Sequence, residues 1–367
     1  MPPDRPIGST ISSAAASDIM EYFHSTNESL GAFVTTVFLL GYAFGPIAIA
    51  PLSEIYGRAL LYKSCMFLFI VFNVACAVAD SLGSLIVFRL LAGAMGSCPV
   101  TLGTGSIADM IPAEKRAGAM AAYIIGVVLG PAVGPIAAGY LTPAAGWRWC
   151  FWLMTIAAGV LTVVVFFAVP ESYPYVLLKR KTRRLQKETG NMELRSALDT
   201  GKTAAQLFAF SIFRPLKMLA FPIVFLLSLY AAVVYSYLYI SFTTFPTVFG
   251  GQYGFGSGAS GLATLGLAVG SLVGVTFCGA VADRLSARLA KAKGGKVLPE
   301  YRLPTLALGA FCVPIGLFWY AWSAEKKAHW IVPIIGSSFL GAGMVITYVR
   351  IAKPLLPVNF YVLFTLN

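Results

Sequence analysis

The chain has 367 residues, 58% of them hydrophobic and only 11% charged, and a mean hydropathy of +0.78. Its 27 lysines and arginines against 15 acids leave a formal net charge of +12. This composition excludes an ordinary water-soluble domain, and the six cysteines, set in or against apolar runs without C-x-x-C spacing, read as small packing residues rather than redox or zinc ligands.

Polar residues extend from Met1 to Ala14 without an apolar core segment, so no cleavable signal peptide is expected and insertion must rely on the spans themselves. Asn27-Glu28-Ser29 is a glycosylation sequon. A hydrocarbon core of about 30 Å takes roughly 20 helical residues. Nine apolar runs meet that length, at about 31–52, 61–79, 84–108, 117–141, 147–169, 219–242, 258–281, 304–322 and 330–349. Backbone groups in lipid have no water to bond, so each run is expected as helix. The result is an all-α polytopic membrane protein.

The placement of the positive charge gives the orientation. Loops after the first, third, fifth, seventh and ninth runs hold 22 of the 27 lysines and arginines, ten of them between Lys179 and Lys217. Those loops are therefore cytoplasmic, the sequon is outside, and the basic charge needs no nucleic acid to explain it.

The longest polar interruption, from about Pro170 to Leu216, divides the spans into two groups. Its opening stretch, VLLKRKTRRLQKETG, sets Leu177, Leu178 and Leu185 among six cations, as in a helix lying on an anionic leaflet or in a solvated linker helix. The two groups share an echo: APLSEIYGR after the first run and GAVADRLSAR after the seventh. Ala50, Glu54 and Arg58 answer to Gly279, Asp283 and Arg288, with Gly57 and Arg284 beside them, which suggests a protein built from repeated bundles.

Within the spans, Arg89 is the clear charge. Such a charge faces a cavity or partner or snorkels to the headgroups. In GVVLGPAVGPIAAG, Gly126, Gly130 and Gly134 recur every fourth residue and make one smooth face for close helix approach. Pro131 and Pro135 each remove a backbone hydrogen bond and add a bend. The stretch is expected to form a tight, kinked seam between the two bundles, or ordinary small-residue packing. Glu54 with Arg58, and Asp283 with Arg284 and Arg288, fall where helix ends meet, and a carboxylate near a helix N-terminus there gains from the dipole; a solvated loop is the alternative. Tyr230, Tyr235, Tyr237 and Tyr239 of the sixth run are candidates to line a cavity for flat, greasy or cationic compounds or to serve as belt and core residues.

Enzyme chemistry has little to work with. Only His24 and His329 occur, there is no H-E-x-x-H or G-x-x-x-x-G-K-[ST], and GTGS at 103–106 lacks the later glycine of a dinucleotide loop. The expected energy source is an ion gradient, with no cofactor and no metal.

The ordered series MEYFHSTNESLGAF, PLSEIYGR, RLLAGAMGSCP, IADMIPAEKR, the 126–139 stretch, GWRWCFW, PESYPYVLLKRK, RPLKML and YRLP resembles the major facilitator superfamily, within it the fungal drug:proton antiporters. The resemblance implies two helical bundles with twelve spans, of which residues 31–349 resemble spans two to ten. SSAAASDIMEYFHST resembles the tail of span one, and after Gly343 spans eleven and twelve are not recognisable, so the chain is expected to be truncated at both ends.

The divisions that follow are a non-cytoplasmic segment 1–30, an N-terminal bundle 31–169, a cytoplasmic loop 170–218, a C-terminal bundle 219–349 and a divergent tail 350–367. The resemblance further implies proton-coupled export of drugs, toxins or secondary metabolites from a monomer in the plasma membrane. In it Arg89 couples proton movement in the cavity, and the glycine-proline seam seals the proton leak. The first acidic loop engages the missing span eleven. A truncated, non-transporting membrane protein and a facilitator for uptake are the alternatives.

Overall fold

The computed structural model describes residues 16–24, 28–198, 203–278, 281, 284, 288 and 303–365. Among them, nine helical stretches are long and apolar enough to cross a bilayer, each overlapping one expected run. The helices are α1 (Ala16–Tyr22), α2 (Glu28–Tyr56), α3 (Arg58–Ala77), α4 (Leu82–Gly96), α5 (Cys98–Met110), α6 (Ala113–Ala145) and α7 (Arg148–Ala168). Two connecting helices follow, α8 (Pro174–Thr189) and α9 (Ala204–Leu219). The rest are α10 (Pro222–Phe245), α11 (Ser257–Leu262), α12 (Leu265–Phe277), α13 (Leu303–Glu325) and α14 (Ile331–Thr365).

Several rods are interrupted where the local chemistry removes a donor. The run expected at 84–108 is divided at Ser97, because Pro99 has no N–H to offer the preceding turn. Hydroxyls repair the junction: Ser97 donates to the Ala94 carbonyl at 2.8 Å and Thr101 to that of Ser97 at 2.9 Å. After α10, Pro246 opens a π-helical segment, Pro246–Gln252, whose wider turn brings Phe249 fully inside. By contrast α6 stays one helix through Pro131 and Pro135. α14 also continues past Pro354 and Pro357 to Thr365, where the sequence predicts a departure from regular structure.

The chain divides into two units: residues 1–131 with 141–216, and residues 132–140 with 217–367. The first unit packs α4 against α2 and α3, and α3 against α7. Lipid-soluble side chains gain nothing by leaving lipid for a helix surface, so close backbone approach has to hold such a bundle together. At the α2–α4 crossing, a side chain at Gly41 would run into the Leu90 carbonyl, and one at Gly93 into that of Phe38. The second unit repeats the device where α12 and α13 pack on α14: Gly270 faces the Ser338 carbonyl and Gly341 that of Leu267. Its core is aromatic, with Phe242, Phe245, Phe249 and Tyr320 in one cluster.

At the end of the first unit opposite its basic loops, Arg148 closes α3. Its guanidinium donates to the Ala77 and Ala79 carbonyls at 3.1 and 3.2 Å, satisfying the helix C-terminus, and lies over the rings of Tyr22 and Trp147.

The glycine crossing generates a direct expectation. Gly41→Val forces α2 away from α4, and overpacking of this kind costs about 1–3 kcal/mol. Thermal unfolding of the purified chain should show a clearly lower midpoint for Gly41→Val, and little change for Gly83→Val, since Gly83 has open space around it.

Candidate functional site

The loop signature expected to form a gate is built on a sharp turn between α2 and α3. Gly57 holds φ 97° and ψ 160°, a region that only glycine occupies readily. That geometry brings the N-terminus of α3 against a carboxylate the sequence does not single out, Glu171. Glu171 accepts from the backbone N–H of Arg58 at 3.0 Å and of Ala59 at 3.3 Å, and from Ser172 and Tyr173 at 3.1 and 3.0 Å. It therefore satisfies two of the orphan donors of α3 and places a negative charge at the positive end of the helix dipole. A side chain at Gly57 would fall on this carboxylate.

Arg58 points the other way and pairs with Asp109 at 3.0 Å, both side chains largely shielded. Gly105 leaves room for the guanidinium, which also lies 5.6 Å from the centre of the Tyr173 ring. Burial first, then the negative charge of Glu54, pushes the Tyr173 phenol above its usual range, with Arg58 opposing, so it remains a neutral donor beside the ion pair. Glu54 accepts a hydrogen bond from the Ser211 hydroxyl on α9 at 2.8 Å. Arg116 donates to the carbonyls of Ala108 and Ile111, closing the end of α5. The structure thus separates Glu54 from Arg58 in partnership and adds Asp109, Glu171 and Ser211 to the cluster. PESYPYVLLKRK carries a visible signal for Glu171, an acid immediately after a span, but its partner far back in the chain has no local signature.

In the second unit the corresponding loop is only partly described. Arg284 and Arg288 are exposed, and Gly279 and Asp283 lie outside the described residues. Asn27 of the sequon also lies outside them.

Arg89 is 1% exposed, inside the first unit rather than extended to its surface. Its Nε donates to the Val34 carbonyl at 3.4 Å, and its guanidinium lies 4.8 Å and 5.7 Å from the ring centres of Phe38 and Phe151. Ring faces and a backbone carbonyl replace part of the lost hydration of this cation.

The glycine-proline stretch is shared by the two units. Gly126 is half-buried and Gly130 and Gly134 are buried, while Pro131 is half-buried and Pro135 buried. From Ala132 to Tyr140 the helix packs within the second unit. A side chain at Gly139 would strike the Ser257 carbonyl, and one at Gly261 would come within 2.6 Å of the Pro135 carbonyl. Thr264 donates to the Ala132 carbonyl at 3.1 Å. Small residues therefore meet from both sides of this crossing, with one polar tie.

Of the four tyrosines, Tyr230, Tyr235 and Tyr239 pack on the aromatic core of the second unit. The Tyr230 hydroxyl is 3.3 Å from that of Thr347, and Tyr235 meets Tyr348 edge-on. Tyr237 is 37% exposed and is not brought to that cluster. Tyr320, for which the sequence carries no signature, lies in the core with its hydroxyl 3.1 Å from that of Thr244.

The profile of the Major Facilitator Superfamily matches residues 6–353. The chain belongs to this family. The MFS-type transporter penM of Penicillium rubens is 54% identical over 348 residues, covering 95% of this chain and 68% of its own length. The MFS-type transporter atr4 of Stereocaulon alpinum is 49% identical, covering 94% and 62%. The efflux pump radE of Floropilus chiversii is 43% identical, covering 98% and 67%. This chain thus spans about two thirds of the length of these relatives. The fold is shared with the xylose transporter XylE from E. coli in a partially occluded inward-open conformation, with a TM-score of 0.69 and 18% identity over 96% of this chain and 81% of that one. Membership places the chain among multi-pass membrane proteins of a transporter family rather than among enzymes.

The cluster at the turn between α2 and α3 is testable through its two coupled halves. Gly57→Ala imposes a backbone penalty of about 1–3 kcal/mol, and Glu171→Gln removes an anionic cap worth about 0.5–2 kcal/mol. Each variant should lower the unfolding midpoint, and the double variant should lose less than the sum, because both act on one junction.

Proposed function

We propose that this transporter exports small organic compounds in exchange for protons, working as a monomer in the plasma membrane by alternating access of a midplane pocket. The observation that carries the reading is the buried Arg89 guanidinium, held among aromatic rings inside a span. A fixed cation in a low-dielectric interior favours a carboxylate or an anionic substrate group and releases it when that group takes a proton. Export is supported by a relative named as an efflux pump, and the sequence holds no phosphate-binding loop through which a nucleotide would supply energy.

Within this reading Gly126, Gly130, Pro131, Gly134 and Pro135 form the seam that keeps protons from slipping through. Close approach of Gly139 to Ser257 and of Gly261 to Pro135, with Thr264 donating to the Ala132 carbonyl, supports this reading. Glu54, Gly57, Arg58, Gly279, Asp283, Arg284 and Arg288 belong to the cytoplasmic gate. Arg58 pairs there with Asp109 and stands beside the α3 terminus that Glu171 caps. Tyr230, Tyr235 and Tyr239 supply ring faces for the substrate, and Tyr237 is the most exposed of the four. Flat, lipophilic metabolites and amphiphilic cations are the substrate classes that such a lining suits.

The test is gradient-driven flux in proteoliposomes. With an imposed pH gradient, a panel of lipophilic metabolites should include compounds that move, with proton counterflow read by an internal pH dye. A protonophore should abolish the movement. Arg89→Ala should lose it by at least about tenfold, as expected for a charge essential to one state, and Arg89→Lys should recover part. Flux indifferent to the gradient removes proton coupling and leaves a facilitator; no flux for any compound from folded, inserted chain removes transport by this chain.

A further inference from the structure

The two helices that connect α7 to α10 lie outside the membrane-crossing set, yet each is joined by a short stretch to a helix that can cross a membrane. α8 begins at Pro174, shortly after a span ends at Ala168, and α9 ends at Leu219, just before a span begins at Pro222. Both sit on the face that carries most of the basic residues.

α9 presents two unlike faces. At 100° per residue, Gln206, Phe210, Phe213 and Lys217 fall within about 60° of one another, and all four are exposed, Phe210 at 49% and Phe213 at 61%. The opposite side holds Ser211, which ties the helix to Glu54. A solvated linker helix would be expected to put polar residues outermost; this one puts two phenylalanines there, beside a lysine. α8 carries the matching charge. Six lysines and arginines between Lys179 and Lys187 face a single acid in that helix, Glu188, which is bonded to Arg184. Leu177, Arg180 and Arg184 share the side away from half-buried Leu178, and Leu177 is 44% exposed.

We infer that α8 and α9 form a docking surface for acidic phospholipid headgroups, with the α8 cations among the phosphates and Phe210 and Phe213 at the acyl boundary. A dense array of anions is what six neighbouring cations with one acid select, and a leaflet to which both helices are already tethered offers that array without an association cost. The aromatic stripe adds apolar burial that a soluble polyanion cannot provide. Since Ser211 on the same helix holds Glu54, the docked surface is also joined to the gate cluster.

The experiment is hydrogen exchange on the full chain in nanodiscs of phosphatidylcholine alone or with phosphatidylserine. Amides of α8 and α9 should exchange at least about fivefold more slowly with phosphatidylserine, the scale that a few headgroup contacts provide. High salt should reverse the difference, and inorganic phosphate in discs of phosphatidylcholine alone should not reproduce it. Arg180→Gln with Lys181→Gln and Arg184→Gln should remove the lipid dependence while exchange in α3 is unchanged. Phe210→Ser with Phe213→Ser should speed α9 exchange in both lipids. Should the triple variant fail to fold, the salt titration of the unaltered chain decides alone. Equal exchange in the two lipid compositions, or protection that arises only on adding a soluble protein, overturns the inference.

Discussion

Every backbone N–H and C=O that enters hydrocarbon has to be bonded within its own segment or by a neighbour, since each one left bare costs several kcal/mol. The rest of this structure works within that constraint. It makes helix the default for glycine-rich stretches that water would leave as coil. It also explains why the prolines do their work locally. Pro99 and Pro246 interrupt rods at places where hydroxyls or a wide turn take up the slack, while Pro131 and Pro135 leave α6 continuous. Thr264 reaching the Ala132 carbonyl is the same principle carried across a helix crossing.

Once the rods are given, specificity comes from how near they approach. Gly41, Gly93, Gly270 and Gly341 each stand where any side chain would enter a neighbouring backbone carbonyl. The two units use one packing device in different spans, in keeping with the repeated loop echo of the sequence. Charge has a second, local role: Arg148 closes one end of α3 and Glu171 the other, so this helix has both of its termini satisfied by side chains from elsewhere in the first unit.

The spans, their number and their register along the chain were legible because hydropathy over 20 residues is a property of the segment itself. The loop signatures were legible for a similar reason, as short patterns of acid, glycine and arginine. Partnership was less so. Arg58 is visible as part of a loop signature, but its pairing with Asp109 depends on how α5 closes on α3, and Glu171 reaches α3 across 113 positions of sequence. The four tyrosines looked alike in the sequence. Their separation into Tyr230, Tyr235 and Tyr239 on the core and Tyr237 outside follows from helix phase together with the position of α14. A single tyrosine in an apolar run, as Tyr320 is, carries no pattern of its own.

The reach of Glu171 back to the start of α3 has a further consequence for the order in which the molecule is made. Ribosomes add about 5–20 residues per second, so the amide groups at Arg58 emerge on the order of ten seconds before the carboxylate that will serve them. During that interval the nascent helix has its first turn open to water or to whatever insertion machinery surrounds it. Glu171 lies just beyond the fifth apolar stretch, so this cap forms only after all five apolar stretches of this half have been made.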